Sequence, residues 1–165
     1  MANKIDLKNV VLLITDENDS SNMEVKFDDG NFTFTEAIGI EYDLDRGLLD
    51  STSLGDEVPM DVSFQGRYDY FKGDSSDVTI RDALRNAGEA SAWVSSADSI
   101  DPCSPYSVDL ILTNTPTCGA GVSNPIETLL FPQFRAESIA FDAQAGTVNV
   151  TGKCNVTAPT SVRSS

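Results

Sequence analysis

The chain has 165 residues, a formal net charge of −15 and a sequence pI near 4.1. This length predicts a single domain, residues 1–165, with a hydrophobic core of its own. Eleven basic residues against 26 acidic ones argue against a nucleic-acid binder, because affinity for phosphate depends on Lys and Arg. The absence of histidine excludes Ser-His-Asp and Cys-His catalysis and any His-ligated metal site.

The beginning of the sequence has neither the apolar stretch nor the cleavage site of a secretory signal. The longest early apolar run, Val10–Ile14, is far shorter than a membrane-spanning helix. We therefore expect a soluble protein that is first present in a cytoplasm. Three cysteines, Cys103, Cys118 and Cys154, are too few for a disulfide framework, and whether Cys103 and Cys118 are bonded is left open.

Apolar residues alternate with polar ones along much of the chain, which is typical of half-buried antiparallel strands. The alternation predicts strands at residues 10–15, 23–28, 31–36, 40–44, 58–70, 106–113, 134–142 and 147–156. Turns are predicted at Asp28–Asn31, where Gly30 would supply a positive φ, and at Ala143–Gly146. The strands at 40–44 and 58–70 together predict a long hairpin, with Arg46–Glu57 as its loop.

One helix is predicted among the strands. Thr79 and Asp82 fit a capping pattern at its start, and Gly88 is expected to end it. Apolar residues at helical spacing predict the side that packs on a sheet: Ile80, Ala83, Leu84 and Ala87. The sequence therefore predicts a mainly β protein, an antiparallel β-sandwich or barrel with one flanking α-helix, which ends in a loose tail at residues 158–165.

Motifs for catalysis or for cofactor binding are weak. Asp43–Gly47 superficially resembles a calcium-binding loop, but glycine stands where the third oxygen ligand is needed. The sequence contains no Cys-x-x-Cys pair for zinc and neither a Gly-x-Ser-x-Gly nor a Ser-x-x-Lys motif for a nucleophilic serine. We expect no enzyme activity, no bound metal and no cofactor.

Acidic side chains are concentrated on the predicted hairpin. Glu41, Asp43 and Asp45 share one face of its first strand, and Asp61 and Asp69 lie on the polar face of the second. Like charges that face each other across strands destabilise a sheet. A solvated outer face explains this pattern, and a surface that repels polyanions is the alternative interpretation.

Several segments resemble the major tail tube proteins of long-tailed, siphovirus-type bacteriophages. These segments are Leu54–Val62, Val78–Gly88, Asp101–Leu110, Phe131–Glu137 and Gly146–Asn155. Their order and spacing carry the resemblance, which covers residues 36–158.

The resemblance implies a β-sandwich with one helix, in which six copies form rings that stack into a hollow tube. It implies that a long hairpin loop reaches neighbouring subunits and that DNA passes through the lumen during ejection. The implied partners are other copies of the chain, the tape measure protein, the tail terminator and the tail-tip proteins. The implied location is the tail of the virion, after a period in the host cytoplasm. Some relatives carry a C-terminal immunoglobulin-like domain, for which we expect no room here.

The resemblance also suggests roles for individual residues. The acidic set is predicted to line the channel and to keep DNA off its wall: Glu41, Asp43, Asp45, Asp61 and Asp69. Leu48, Leu49 and Leu54 are expected to be exposed in the free subunit and covered by a neighbour in the tube. Arg81 and Arg85 are expected to pair with the acidic surface of a neighbour.

Other functions remain open at this point. A tail terminator, a head-to-tail joining ring and a secretion-system tube subunit share the predicted architecture. A soluble binding module or an enzyme is a further alternative. Electron microscopy of the purified protein distinguishes these classes, since they form long tubes, single rings or featureless monomers.

Overall fold

The structure is a computed structural model that describes residues 9–18, 21–27, 30–68, 78–115 and 126–164. These ranges contain one α-helix, α1 (Ile80–Arg85), and ten strands: β1 (Val10–Thr15), β2 (Asn22–Val25), β3 (Phe32–Thr35), β4 (Ile40–Asp45), β5 (Leu48–Leu54), β6 (Met60–Arg67), β7 (Val108–Asn114), β8 (Ile126–Asp142), β9 (Thr147–Cys154) and β10 (Thr160–Ser164). A 3₁₀ turn at Gly88–Ala90 follows the helix. The predicted fold class, antiparallel β with one short helix, is confirmed.

Eight strands form one antiparallel sheet in the order β2-β1-β7-β8-β9-β6-β3, and β10 pairs with β8 beside this path. The sheet curls back on itself. The N–H of Arg67, at the end of β6, donates to the carbonyl oxygen of Lys26, just beyond β2, at 2.6 Å. Because β2 lies at one end of the strand order and β6 near the other, this contact helps to enclose a core, consistent with a β-sandwich.

The core is built by the inward faces of alternating strands. On β6, Val62 and Phe64 are buried, and on β9, Val148 and Val150 are buried against them. Phe131 and Phe134 of β8 are fully buried in the same cluster. Cys154 is 1% exposed, which confirms the prediction that it is a small core residue. Burial, with a smaller contribution from the Asp109 carboxylate, raises the pKa of the Cys154 thiol to about 12.

The predicted long hairpin is wrong in its pairing. β4 pairs with β5, which lies inside the segment predicted to be a loop, while β6 pairs with β3 and β9. The chain reverses at Arg46 and Gly47, whose φ angles of 52° and 84° fit a two-residue turn between twisted strands. The expectation failed because the turn was assigned to the whole polar stretch and the strand pattern of Leu48–Leu54 was overlooked.

The hairpin turn predicted at Asp28–Asn31 is also wrong. It does not join two paired strands, because β2 pairs with β1 and β3 pairs with β6. Asp28 and Asp29 lie outside the described residues. Gly30 has no positive φ; a Cβ there would collide with the carbonyl oxygen of Gln65 and approach that of Phe27 at 2.8 Å. Glycine is required at this position for close approach of the backbone and not for its φ angle. The turn predicted at Ala143–Gly146 is confirmed, since it joins the paired strands β8 and β9 and Gly146 has a φ of 66°.

β8 has 17 residues, about twice the predicted length. The alternation along β8 is interrupted at Gln133, whose φ of 52° marks a bulge. The N–H of Gln133 donates to the carboxylate of Asp109 at 2.9 Å. β9 pairs with the second half of β8, from Phe134 onward. The first half is left with an open edge, and β10 pairs there, Thr160 opposite Leu130. The prediction of a loose tail at 158–165 is therefore wrong for Thr160–Ser164, because backbone hydrogen bonding to this edge orders it.

The helix α1 begins as predicted. The Thr79 side chain accepts a hydrogen bond from the N–H of Asp82 at 3.2 Å. Its end differs from the prediction, because Asn86, with φ 52° and ψ 48°, is the left-handed residue that closes it. Gly88 instead starts the following 3₁₀ turn. Ile80, Ala83 and Leu84 are buried, whereas Ala87 is only half-buried.

Truncation of the buried helix face should destabilise the fold. We expect Leu84→Ala to lower the free energy of unfolding by about 2–5 kcal/mol, because Leu84 is 7% exposed and its removal leaves a cavity. Arg85→Ala, at an exposed position on the same turn, is the matched control and should change it by less than about 0.5 kcal/mol. Urea denaturation measures both. Equal effects of the two substitutions would show that α1 does not pack on the sheet.

Candidate assembly surface

The β4–β5 hairpin stands apart from the rest of the described chain. Its two strands form a sheet of their own, and every residue of both is exposed. At the base, the N–H of Gly55 donates to the carbonyl oxygen of Gly39 at 2.8 Å. A Cβ on Gly39 would collide with the carbonyl oxygen of Asp56. Glycine at this position therefore allows the two segments that lead into the hairpin to run side by side.

The register of the hairpin separates its side chains into two faces of different character, because residues directly opposite each other share a face. One face, the apolar hairpin face, is formed by three pairs: Ile40 with Leu54, Tyr42 with Thr52, and Leu44 with Leu49. The other, the acidic hairpin face, is formed by Glu41 with Ser53, Asp43 with Ser51, and Asp45 with Leu48. A bulge at Asp43/Leu44 accommodates Asp50 and keeps the two faces distinct.

The apolar hairpin face is uncovered. Leu44, Leu49 and Leu54 are 62%, 75% and 84% exposed. Full burial of one such side chain is worth about 1.5–3 kcal/mol, and contiguous apolar patches of this kind mark interaction sites on soluble proteins. An isolated two-stranded hairpin is also only marginally stable in water. The geometry is therefore that of a segment that gains stability when a partner covers it.

The three predicted contact leucines divide between the two faces. Leu48, Leu49 and Leu54 are all exposed, but they lie in β5 and not in a loop. Leu49 and Leu54 belong to the apolar hairpin face, whereas Leu48 lies among the acidic residues. Their burial by a neighbouring subunit stays a prediction.

Sequence reasoning missed half of this surface. Ile40, Tyr42 and Leu44 were interpreted as the buried side of a core strand, yet they are 44%, 60% and 62% exposed. Leu54 and Leu49 of β5 were recognisable as apolar residues, but their position opposite Ile40 and Leu44 depends on the hairpin turn and on the bulge at Asp43/Leu44.

The predicted acidic channel face does not exist as one paired surface. Glu41, Asp43 and Asp45 share the acidic hairpin face, as expected, and Asp43 accepts a hydrogen bond from the Ser51 hydroxyl at 3.1 Å. Asp61 lies instead on the main sheet, where the Lys153 ammonium pairs with it at 3.3 Å. Asp69 lies outside the described residues. Because β4 and β6 are not partners, the shared side that motivated the grouping is absent.

The two arginines of the helix are exposed. Arg81 and Arg85 are exposed one turn apart on α1, on the side away from the buried residues Ile80 and Leu84. Their pairing with a neighbouring subunit stays a prediction.

An open groove lies on the polar side of the main sheet. It has a volume of about 240 Å³ and is lined mainly by hydroxyl and carboxylate side chains: Thr33, Thr35, Asp61, Ser63, Glu137 and Thr151. Within the described residues, no group of three or more Cys, Asp and Glu side chains is placed to hold a metal ion. Asp43–Gly47, the segment that resembles a calcium loop, is the end of β4 and the hairpin turn.

Tyr106 connects the helix to the segment before β7. Its hydroxyl donates to the carbonyl oxygen of Ala83 at 3.0 Å. Burial, and secondarily the negative charge of Asp16, raises the pKa of Tyr106 to about 12. Sequence reasoning assigned Tyr106 only to a strand, because a tertiary partner 23 residues away leaves no local signal.

Comparisons with known proteins give a limited result. No protein-family model matches the chain, and no curated protein matches its sequence. Among solved structures, the chain is similar to the PVC sheath/tube terminator of an extracellular contractile injection system in its extended state, determined by cryo-EM. The two share 12% sequence identity over 100% of this chain and 99% of that one, with a TM-score of 0.49. A likeness at this level carries no conclusion about function.

No described helix has the length and apolar character needed to cross a membrane.

The Tyr106 hydroxyl should make stability depend on alkaline pH. Because the folded state favours the neutral phenol, its contribution is complete below the unfolded-state pKa near 10 and declines as pH rises toward 12. We expect Tyr106→Phe to cost about 0.5–1.5 kcal/mol at pH 8 through the lost hydrogen bond. The gap to the unsubstituted protein should narrow between pH 10 and 12. Urea denaturation across this range measures it, and parallel curves would contradict the assignment.

Proposed function

We propose that the chain is a structural subunit of a phage-tail-type assembly, in which copies of it associate into rings that stack as a hollow tube. The observation that carries the proposal is the apolar hairpin face, which forms a sheet apart from the main one and whose leucines are exposed within the described part of the chain. The five segments that resemble major tail tube proteins support the same role. The role is structural and not catalytic, and its place is the tail of a virion.

The charge of the chain restricts how copies can meet. Each copy carries −15, so contact between arbitrary surfaces is repulsive. The paired residues that form the apolar hairpin face carry no charge. Copies can therefore bury these side chains without desolvating their carboxylates. Arg81 and Arg85 would add local attraction to the acidic surface of a neighbour.

The acidic hairpin face has a role in the same proposal. When a neighbour covers one face of the hairpin, Glu41, Asp43 and Asp45 must point away from that contact. In a tube they would line the passage and keep transiting DNA hydrated and off the wall, because carboxylates offer no counterion-releasing contacts to phosphate. Asp61 would contribute less, since Lys153 compensates its charge. The tape measure, terminator and tail-tip proteins would be its further partners.

Adjacent leucines provide a matched test of the proposal. Leu49→Ser should raise the concentration required for assembly at least about tenfold, because it removes an apolar contact of the kind that dominates interfaces. Leu48→Ser is the control, since Leu48 and Leu49 are 74% and 75% exposed but lie on opposite faces. Negative-stain electron microscopy with sedimentation of the same samples gives both readouts.

The unsubstituted protein should form tubes of stacked rings under these conditions. Single rings without stacking would indicate a terminator or joining protein in place of a tube subunit. Monomers at every concentration tested would contradict self-assembly altogether. Equal loss of assembly in Leu48→Ser and Leu49→Ser would show that the apolar hairpin face is not the specific contact.

A further inference from the structure

A second apolar surface lies on the outward side of the main sheet, where β1, β7, the first half of β8 and β10 are neighbours. The registers place its residues in two rows. Leu13, Ile111, Leu130 and Thr160 are opposite one another in the first row, and Val11, Thr113, Thr128 and Val162 in the second, with Ile126 beyond them. We call this set the receiving face.

The receiving face is unusual for the outward side of a sheet in so acidic a chain. The side chains of its two rows are aliphatic or threonine, and the exposed carboxylate of Glu24, which is opposite Leu13 on β2, borders the first row. Val11, Ile126 and Val162 are 38%, 39% and 57% exposed, and Leu13, Ile111 and Leu130 are half-buried. Asp109, the next outward residue along β7, accepts the hydrogen bond of the Gln133 N–H and closes that end of the face.

The polar side of the same sheet shows the contrast. There the outward residues of β3, β6 and β9 include Thr33, Asp61, Ser63, Thr151 and Lys153, as a solvated surface requires. One curved sheet therefore carries a hydrated outward side on one half and an apolar outward side on the other. Natural antiparallel sheets place polar residues on a face that meets water, so the apolar half is the part suited to a partner.

We infer that the receiving face of one copy binds the apolar hairpin face of the next copy. This inference rests on the proposed function, because it identifies the second half of the contact by which copies associate. Neither apolar face covers the other within one chain, since both are exposed in the same structure. A head-to-tail contact covers both in every copy with a single type of interface, and such contacts generate rings when the rotation closes.

The two faces have similar extents, and the paired residues that form them carry no charge. The apolar hairpin face is about 20 Å long, from six residues at roughly 3.3 Å each, and the receiving face spans about 14 Å across four strands. Two sheets can pack face to face in this way, as in a β-sandwich. The absence of charge on both sides favours a second copy as the occupant, because a basic partner would be selected by acidic surface and not by these faces. Each contact would form the apolar centre of an interface of about 800 Å² per partner, completed by polar residues around it.

The inference can be tested with two variants that each disable one side of the contact. Leu44→Glu/Leu49→Glu places charge on the apolar hairpin face and leaves the receiving face intact. Val11→Glu/Val162→Glu does the reverse. Thr157→Glu, at an exposed position between β9 and β10, is the control for added charge. Circular dichroism and thermal unfolding establish that each variant is folded. If Val11→Glu/Val162→Glu is unfolded, Val162→Glu alone replaces it, because Val162 is more than half exposed.

Sedimentation velocity of the separate and mixed variants gives the result. We expect each double variant alone to be monomeric and the control to assemble like the unsubstituted protein. An equimolar mixture of the two double variants should form a species of two chains and nothing larger. In that species the intact hairpin of one variant lies on the intact receiving face of the other, and the two disabled sides cannot propagate the contact.

Other outcomes overturn the inference in distinguishable ways. Assembly of the receiving-face variant like the unsubstituted protein would show that the hairpin binds elsewhere, while the proposed function stands. Dimers of either double variant alone would show that like faces pair with each other. Failure of the mixture to form a two-chain species, with an assembling unsubstituted protein, would show that the two faces are not partners. If the unsubstituted protein itself stays monomeric, the proposed function fails and the inference with it.

Discussion

The exposure of apolar side chains on the β4–β5 hairpin is the constraint on which the rest of the account depends, because the described fold does not bury them. The curved sheet buries the inward residues of its strands, and α1 covers part of it. Beyond the base at Gly39 and Gly55, every residue of the β4–β5 hairpin is exposed among the residues that the structure describes. A strand pair with leucine and isoleucine exposed on one side is only marginally stable in water, and the proposed association would stabilise it. The function proposed for the subunit follows from that exposure.

Charge then decides where association can occur. With −15 on each copy, most surface contacts between copies are unfavourable, and screening at physiological ionic strength acts only over about 8 Å. The hairpin carries apolar residues on one face and acidic residues on the other, since Glu41, Asp43 and Asp45 lie on the face opposite to the apolar pairs. The rows of the receiving face give a second surface of uncharged side chains, bordered by Glu24. In the proposed assembly, the apolar residues would provide the attraction, and the acidic residues would suppress contacts in other orientations.

Sequence periodicity was sufficient to predict the strands and the helix whose local pattern is uninterrupted. β6 and β9 alternate without interruption, and the Thr79 cap starts α1 where the pattern predicts. Periodicity did not predict features that depend on contacts between residues distant in the sequence. The bulge at Gln133 depends on the distant carboxylate of Asp109, and Gly30 is needed for close approach to Gln65 and not for a positive φ. The strand β10 exists because the first half of β8 has an open edge, which no property of residues 158–165 reveals.

The candidate surface was predictable in part for a related reason. Leu48, Leu49 and Leu54 were recognisable as apolar residues in a polar stretch, so an assembly role could be predicted before the structure. Their division between two faces could not, because it depends on the Arg46-Gly47 turn and on the bulge at Asp43/Leu44. A one-residue change of register exchanges the faces of a strand, and register is a property of the pair.

Hydrogen exchange of the hairpin in assembled and dissociated protein is the most direct measurement of the central claim. Backbone amides of Ile40–Asp45 and Leu48–Leu54 should exchange at least about tenfold more slowly in the assembled form, because opening a two-stranded hairpin then requires loss of an interface. Amides of β9, in the middle of the main sheet, are the internal reference and should be protected in both forms. Equal exchange of the hairpin amides in the two forms, with protected β9, would show that assembly does not cover the hairpin and would contradict the account.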